Sequence, residues 1–351
     1  MYRVNLIFLF TTVVSGTNIV IFSQNWFVIW VGLELSTLAL VPILISNFFS
    51  RNVEATIKYF LIQAFSALLL NSALIQAWLT GSWSVPRPVQ SLSFILMAIA
   101  LAFKLGLAPC HFWFPDVLQG LPFLQGLIVA SWQKIAPLII FFCISQLSFS
   151  YLIITDALIS TLIGCWGGLN QTQTRKILAF SSIGNMGWIV LTSVYSLNAA
   201  VIMMLVYLTI TTSIFMIFNL LNISTLGHLN SATSMSPISA LIIVLSILSL
   251  GGLPPLAGFT IKFYSLLSLI NSGFMLFSIV LIVSSLLSLF FYLRISFNAS
   301  LILFPQHIMN ITSWRNSSSV ASLSLNTWFI STLFVIGAFS TPIILSLHMT
   351  L

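Results

Sequence analysis

Charge is almost missing from this sequence. Of its 351 residues only 4% are Asp, Glu, Lys or Arg, whereas a soluble domain carries roughly a quarter. A water-facing surface cannot be built from so few charges, so hydrocarbon must be the solvent for most of the chain. Cysteine is also scarce. Cys110, Cys143 and Cys165 lie scattered in apolar sequence with no CxxC or Cys/His spacing; this argues against a metal or redox centre and for small buried hydrophobes. No run of basic residues is longer than Arg175–Lys176. The net charge of +7 therefore makes no nucleic-acid patch. No nucleotide loop or catalytic triad is present. Neither a cleavable leader nor an Arg-rich transit segment is expected: MYRVNLIFLF runs on without a clear cleavage site to Phe22. Insertion from within the chain's own compartment, or into a bacterial inner membrane, is the expectation.

What remains is 59% hydrophobic, in runs long enough to span a bilayer. Reading for breaks places helices at 3–22, 25–45, 57–79, 91–118, 122–144, 150–169, 175–194, 197–221, 238–270, 274–296 and 324–347. The expected fold is thus an all-α polytopic membrane protein of about eleven spans, with 1–351 forming a single membrane domain. Positive charge checks this count. With alternating spans, Arg3, Arg51, Lys58, Arg175, Lys176, Arg294 and Arg315 share the N-terminal side, and only Arg87 falls opposite. By the positive-inside rule the N-terminal side is the matrix or cytoplasmic side, and the C-terminus lies across the membrane.

Three lysines remain, Lys104, Lys134 and Lys262, all inside predicted spans, as is Glu34. A charge at bilayer depth costs ~2.5–3.5 kcal/mol on insertion scales, so these residues should face the bundle interior or a wet cavity. Snorkelling to an interface is the plainer alternative; Lys134 and Glu34 sit too centrally for it. Two of the lysines also stand beside helix breakers. Gly106 and Pro109 follow Lys104, while Gly251, Gly252, Pro254, Pro255 and Gly258 precede Lys262. Non-helical backbone at that depth survives only within protein or beside a cavity. The breaks fall in helices four and nine, five apart, so the two halves would run in opposite directions. Paired broken helices in inverted halves are a transporter signature. The spans then divide into a first repeat at 1–144 (helices 1–5), a second at 150–296 (helices 6–10) and an appended helix at 324–347. A lysine carries protons only if it can release one. Movement of Glu34 relative to Lys104 would control that release, with water linking Lys104, Lys134 and Lys262. His111, at the first break, is a candidate for the wet path, with a polar helix-end role as the alternative.

The stretches WVGLELSTLALVPIL (30–44), ATIKYFLIQA (55–64), FKLGLAPCHFWFPDVLQG (103–120), SWQKIAPL (131–138), NQTQTRKILAFSSIGNMGW (170–188) and GGLPPLAGFTIKF (251–263) resemble the chain 2 family of mitochondrial NADH–ubiquinone oxidoreductase, over residues 26 to 296. The resemblance implies an antiporter-like subunit in the membrane arm of respiratory complex I, in the mitochondrial inner membrane, with the N-terminus in the matrix and the C-terminus in the intermembrane space. It implies no cofactor in this chain; NAD, FMN, iron–sulfur clusters and ubiquinone would belong to the rest of the complex. Neighbouring antiporter-like subunits and lipids would be its partners. It implies that Glu34 is the family's glutamate on the second helix, Lys104 the lysine of the first broken helix, Lys134 the connecting lysine, and Lys262 the lysine of the second broken helix, facing the next subunit. There are two departures. Asn185 stands where many members carry His, and cannot titrate, so it would act only through hydrogen bonds to water. Asp116 replaces the common Glu and keeps the charge. A stand-alone cation/proton antiporter and a purely structural arm subunit are the competing readings.

Overall fold

A computed structural model of the chain describes residues 2–46, 49–83, 91–145, 150–229, 237–254, 256–300, 330–332 and 334–337. Among these the regular elements are helices, and an isolated bridge pairs Gln173 with Thr225. The helices are α1 (Tyr2–Phe22), α2 (Trp26–Ile45), α3 (Ser50–Thr80), α4 (Ser91–Leu105), α5 (Trp113–Gly120), α6 (Phe123–Leu127), α7 (Gln133–Ser145), α8 (Ser150–Leu169), α9 (Thr174–Tyr195), α10 (Leu197–Leu220), α11 (Pro237–Gly251), α12 (Ala257–Asn271) and α13 (Met275–Ser300). A π-helical turn, Ile128–Trp132, joins α6 to α7, so Phe123–Ser145 crosses as one segment. Among the described residues, eight segments are long and apolar enough to span a membrane: α1, α2, α3, Phe123–Ser145, α8, α9, α10 and α13. Bilayer-facing helices need no polar face, and leucines and phenylalanines such as Phe8, Leu68 and Leu286 are accordingly exposed.

The predicted fourth and ninth helices are each two half-helices. The fourth is α4 plus α5, separated by residues 106–112, and the ninth is α11 plus α12. Helix α3 starts seven residues before the predicted 57. Its first turns are polar, and Glu54 pairs with Lys58 one turn on, at 2.7 Å, so helix continues past the hydrocarbon edge where hydropathy stops. The predicted helix at 324–347 lies outside the described residues except for 330–332 and 334–337, which are helical. Arg87, His307, Arg315 and His348 also lie outside them.

The chain forms two compact units. One is Met1–Ser160 with Met186–Val194; the other is Thr161–Asn185 with Tyr195–Leu351. In the first, α1 packs on α2, α2 on α3, and α3 on both α4 and α5, while α7 closes against α1, α2 and α4. Small residues permit close packing of α1 on α2: a Cβ on Gly16 would meet the Gly32 carbonyl at 2.9 Å. In the second, α10 packs on α11 and α12, and α11, α12 and α13 pack together. There Thr174 holds the segment after α10, its hydroxyl donating to the Ile223 carbonyl at 2.7 Å.

Candidate functional site

In the first unit, α4 ends where the sequence breaks it. Gly106 has φ +72°, a left-handed conformation that glycine adopts without strain. Its N–H donates to the Phe103 carbonyl at 3.3 Å, and Leu107 N–H donates to Ala102 O at 2.9 Å. This pair of bonds is a Schellman stop. The indole of Trp113 also donates to Phe103 O, at 3.1 Å. Two of the carbonyls freed at this helix end, Ala102 O and Phe103 O, are therefore satisfied by protein, and the last turn, which carries Lys104, is fixed.

Lys104 is buried, yet its Nζ has no hydrogen-bond partner among the described residues. The same holds for Glu34 Oε1 and the Tyr59 hydroxyl. Glu34 acts on Lys104 through its charge. A buried polar atom without a partner costs about 1–3 kcal/mol, more if charged, so three of them together call for water. Space for it exists. Lys104 lines a cavity with about 10 Å³ open to water centres, room for about one molecule. Tyr59, Gln63, Gln133, Ser36 and Thr37 supply its polar wall, with Trp113 and Pro137 beside them. Proline at 137 has no N–H to offer the carbonyl one turn back, which leaves a defect in α7 at this wall.

Lys134 follows the π-helical turn and is 1% exposed. Its Nζ stands 4.2 Å from the centroid of Phe114, a cation–π contact. Phe114 also lies against Gly106, where an added Cβ would lie 3.3 Å from Phe114 Cβ. One ring thus touches both the turn that ends at Lys104 and the amine of Lys134. His111 is buried at the same break, with Nδ1 3.3 Å from Pro109 O, and is not among the residues lining the cavity.

In the second unit, α11 ends on the same motif. Gly252 has φ +83°; its N–H donates to Ser249 O at 3.1 Å, and Leu253 N–H to Leu248 O at 3.3 Å. Lys262, on α12, reaches back and donates to Leu250 O and Gly251 O, both at 3.1 Å. The amine thus neutralises the negative end of α11. Pro254 lies in the turn; Pro255 is outside the described residues. Asn185 is on α9, and the Tyr292 hydroxyl of α13 interacts with both Asn185 and Ser181. The Asn185 amide nitrogen is buried without a hydrogen-bond partner among the described residues. Cys165 is buried within electrostatic reach of Lys262, but Cys143 is exposed, contrary to the expectation of burial: on the outside of a span, hydrocarbon suits a small thiol equally well. No cluster of metal ligands occurs among the described residues.

Sequence reading missed Tyr59, Gln63 and Gln133. The signal was there: Asn52, Thr56, Tyr59, Gln63 and Ser66 recur at helical spacing through α3, and all are buried.

Comparison with known proteins bears on this arrangement. Residues 23–288 match the family described as NADH:quinone oxidoreductase/Mrp antiporter, TM, and residues 289–345 match NADH dehydrogenase subunit 2 C-terminus. The chain is 63% identical over 349 residues to NADH-ubiquinone oxidoreductase chain 2 of Paracentrotus lividus, covering 99% of both. It is 62% identical over 342 residues to that of Strongylocentrotus purpuratus, covering 97% of both. Among solved structures, a chain of respiratory complex I from Thermus thermophilus with bound Aureothin superposes with a TM-score of 0.78 at 27% identity, over 83% of this chain and 69% of that one.

Proposed function

The chain belongs to the NADH-ubiquinone oxidoreductase chain 2 family, and on that premise we propose that it carries protons across the membrane through Glu34, Lys104, Lys134 and Lys262. It is an antiporter-like subunit of complex I, working beside the other subunits of that complex. The finer reading is of eleven spans in two inverted five-helix repeats, 1–144 and 150–296, with a final helix at 324–347. It sets the chain in the mitochondrial inner membrane, with the N-terminus in the matrix and the C-terminus in the intermembrane space. NAD, FMN, iron–sulfur clusters and ubiquinone belong to other subunits, whose electron transfer drives the proton movement.

The observation that carries this reading is the Lys104 amine, held inside the first unit beside a water-sized polar cavity and within reach of the Glu34 charge. An ammonium kept there solely for stability would be paired. Left to water and one carboxylate, it can change protonation when either moves. The matching Schellman stops at Gly106 and Gly252 support two repeats built on one plan. The test is Lys104→Met in the assembled complex. Assembly and NADH oxidation by the peripheral arm should persist while proton pumping is lost; pumping at the normal proton-to-electron ratio would refute the role. Neutralising Lys134 separates a carrier from a structural subunit, since only a carrier lowers that ratio.

A further inference from the structure

A second cavity lies at the N-terminal end of α3, within the first unit. It has about 250 Å³ open to water centres, and Arg51, Glu54, Lys58, Asp116 and Gln119 line it. It is wet and charged: Lys58 Nζ lies 2.7 Å from Glu54 and 3.6 Å from Asp116, and all three side chains are exposed. Two of the four acids of the whole sequence stand here. One helical turn joins this vestibule to the small cavity beside Lys104, on two helices at once. On α3, Ala55 lines the vestibule and Tyr59 the inner cavity; on α5, Asp116 lines the vestibule and Trp113 the inner cavity. One turn is 5.4 Å, about two hydrogen-bond lengths. The adjoining face of α3 is not apolar: it carries the buried stripe Asn52, Thr56, Tyr59, Gln63, of which Tyr59 and Gln63 line the inner cavity. Asn52 Nδ2 and the Tyr59 hydroxyl are both buried without a partner among the described residues.

We propose that protons reach Lys104 from this vestibule along the buried polar face of α3, with the Tyr59 hydroxyl as the last relay before the lysine. The neutral amine of Lys104 takes a proton through the cavity water. The Tyr59 O–H supplies it, and the hydroxyl regains one from water on the vestibule side. Tyrosine ends each passage unchanged. Trp113 packs against Tyr59 with ring centroids 6.0 Å apart and is itself tied to Phe103 O, so the hydroxyl is held in place. This inference rests on the reading of Lys104 as a proton carrier.

Tyr59→Phe keeps the ring packed on Trp113 and removes only the hydroxyl. In the assembled complex in proteoliposomes, NADH-driven proton uptake should fall at least about tenfold, and its solvent deuterium isotope effect should rise. Asn52→Leu, at the N-terminal end of the same polar face, should do the same more weakly, and it decides the matter if Tyr59→Phe does not assemble. Wild-type uptake with an unchanged isotope effect in the variant that assembles would overturn the route. Lys104→Met is measured alongside. If it abolishes pumping while Tyr59→Phe pumps normally, the route fails alone; if Lys104→Met itself pumps normally, the proposed function fails first.

Discussion

The two helix breaks share a stop and differ in where the lysine stands relative to it. At the first, Lys104 belongs to the helix that ends, it lines a cavity, and its amine is buried without a hydrogen-bond partner among the described residues. At the second, Lys262 belongs to the helix that begins again, and its amine folds back onto the carbonyls of Leu250 and Gly251. The same glycine geometry therefore yields two kinds of lysine. One is held by packing alone, so water and Glu34 govern its proton. The other is also a strut that holds the break together through two of its three N–H groups.

Tightness at the second break offers the largest effect. A Cβ on Gly258 would sit 1.7 Å from the Ser249 carbonyl. Gly258→Val should prevent α11 and α12 from packing, at more than about 4 kcal/mol, and abolish assembly as seen on native gels. Normal assembly would show that the break is not held by this contact. The lysine variants come next. Lys104→Met should lose pumping and keep assembly. Lys262→Met should lose both pumping and part of its stability, because two buried carbonyls lose their donor at about 1–3 kcal/mol each; equal thermal stability of the two variants would remove the distinction. Gly106→Ala should cost about 1–2 kcal/mol for the left-handed backbone, read as a lower unfolding temperature, since Phe114 at 3.3 Å has only to shift slightly. The smallest change expected is Phe114→Leu, which removes the ring under Lys134 at about 0.5–2 kcal/mol. It should be visible as slower pumping without loss of the complex, and an unchanged rate would make that contact incidental.

Much of this contrast was legible in order along the chain. Gly and Pro beside buried lysines announced both breaks, and the side on which each lysine falls is plain from FKLG against GGLPPLAGFTIK. What order along the chain hides is contact. That Lys262 folds back by eleven and twelve residues onto two carbonyls depends on how the second half-helix docks. The π-helical turn before Lys134 has no side-chain signature in IVASW. The start of α3 was hidden for another reason: hydropathy reports the hydrocarbon edge, while the helix is extended by Glu54 and Lys58 beyond it. The polar face of α3 could have been found, but uncharged Asn, Thr, Tyr and Gln stand out less than lysines in an apolar background.

The central claim is that the Lys104 amine lives in a damp interior site. A cryo-EM map of the assembled complex, at a resolution that shows ordered water, tests it most directly. The account predicts water density within about 2.7–3.2 Å of Lys104 Nζ and of the Tyr59 hydroxyl. A dry, closed pocket, or an amine turned outward into lipid, would contradict it.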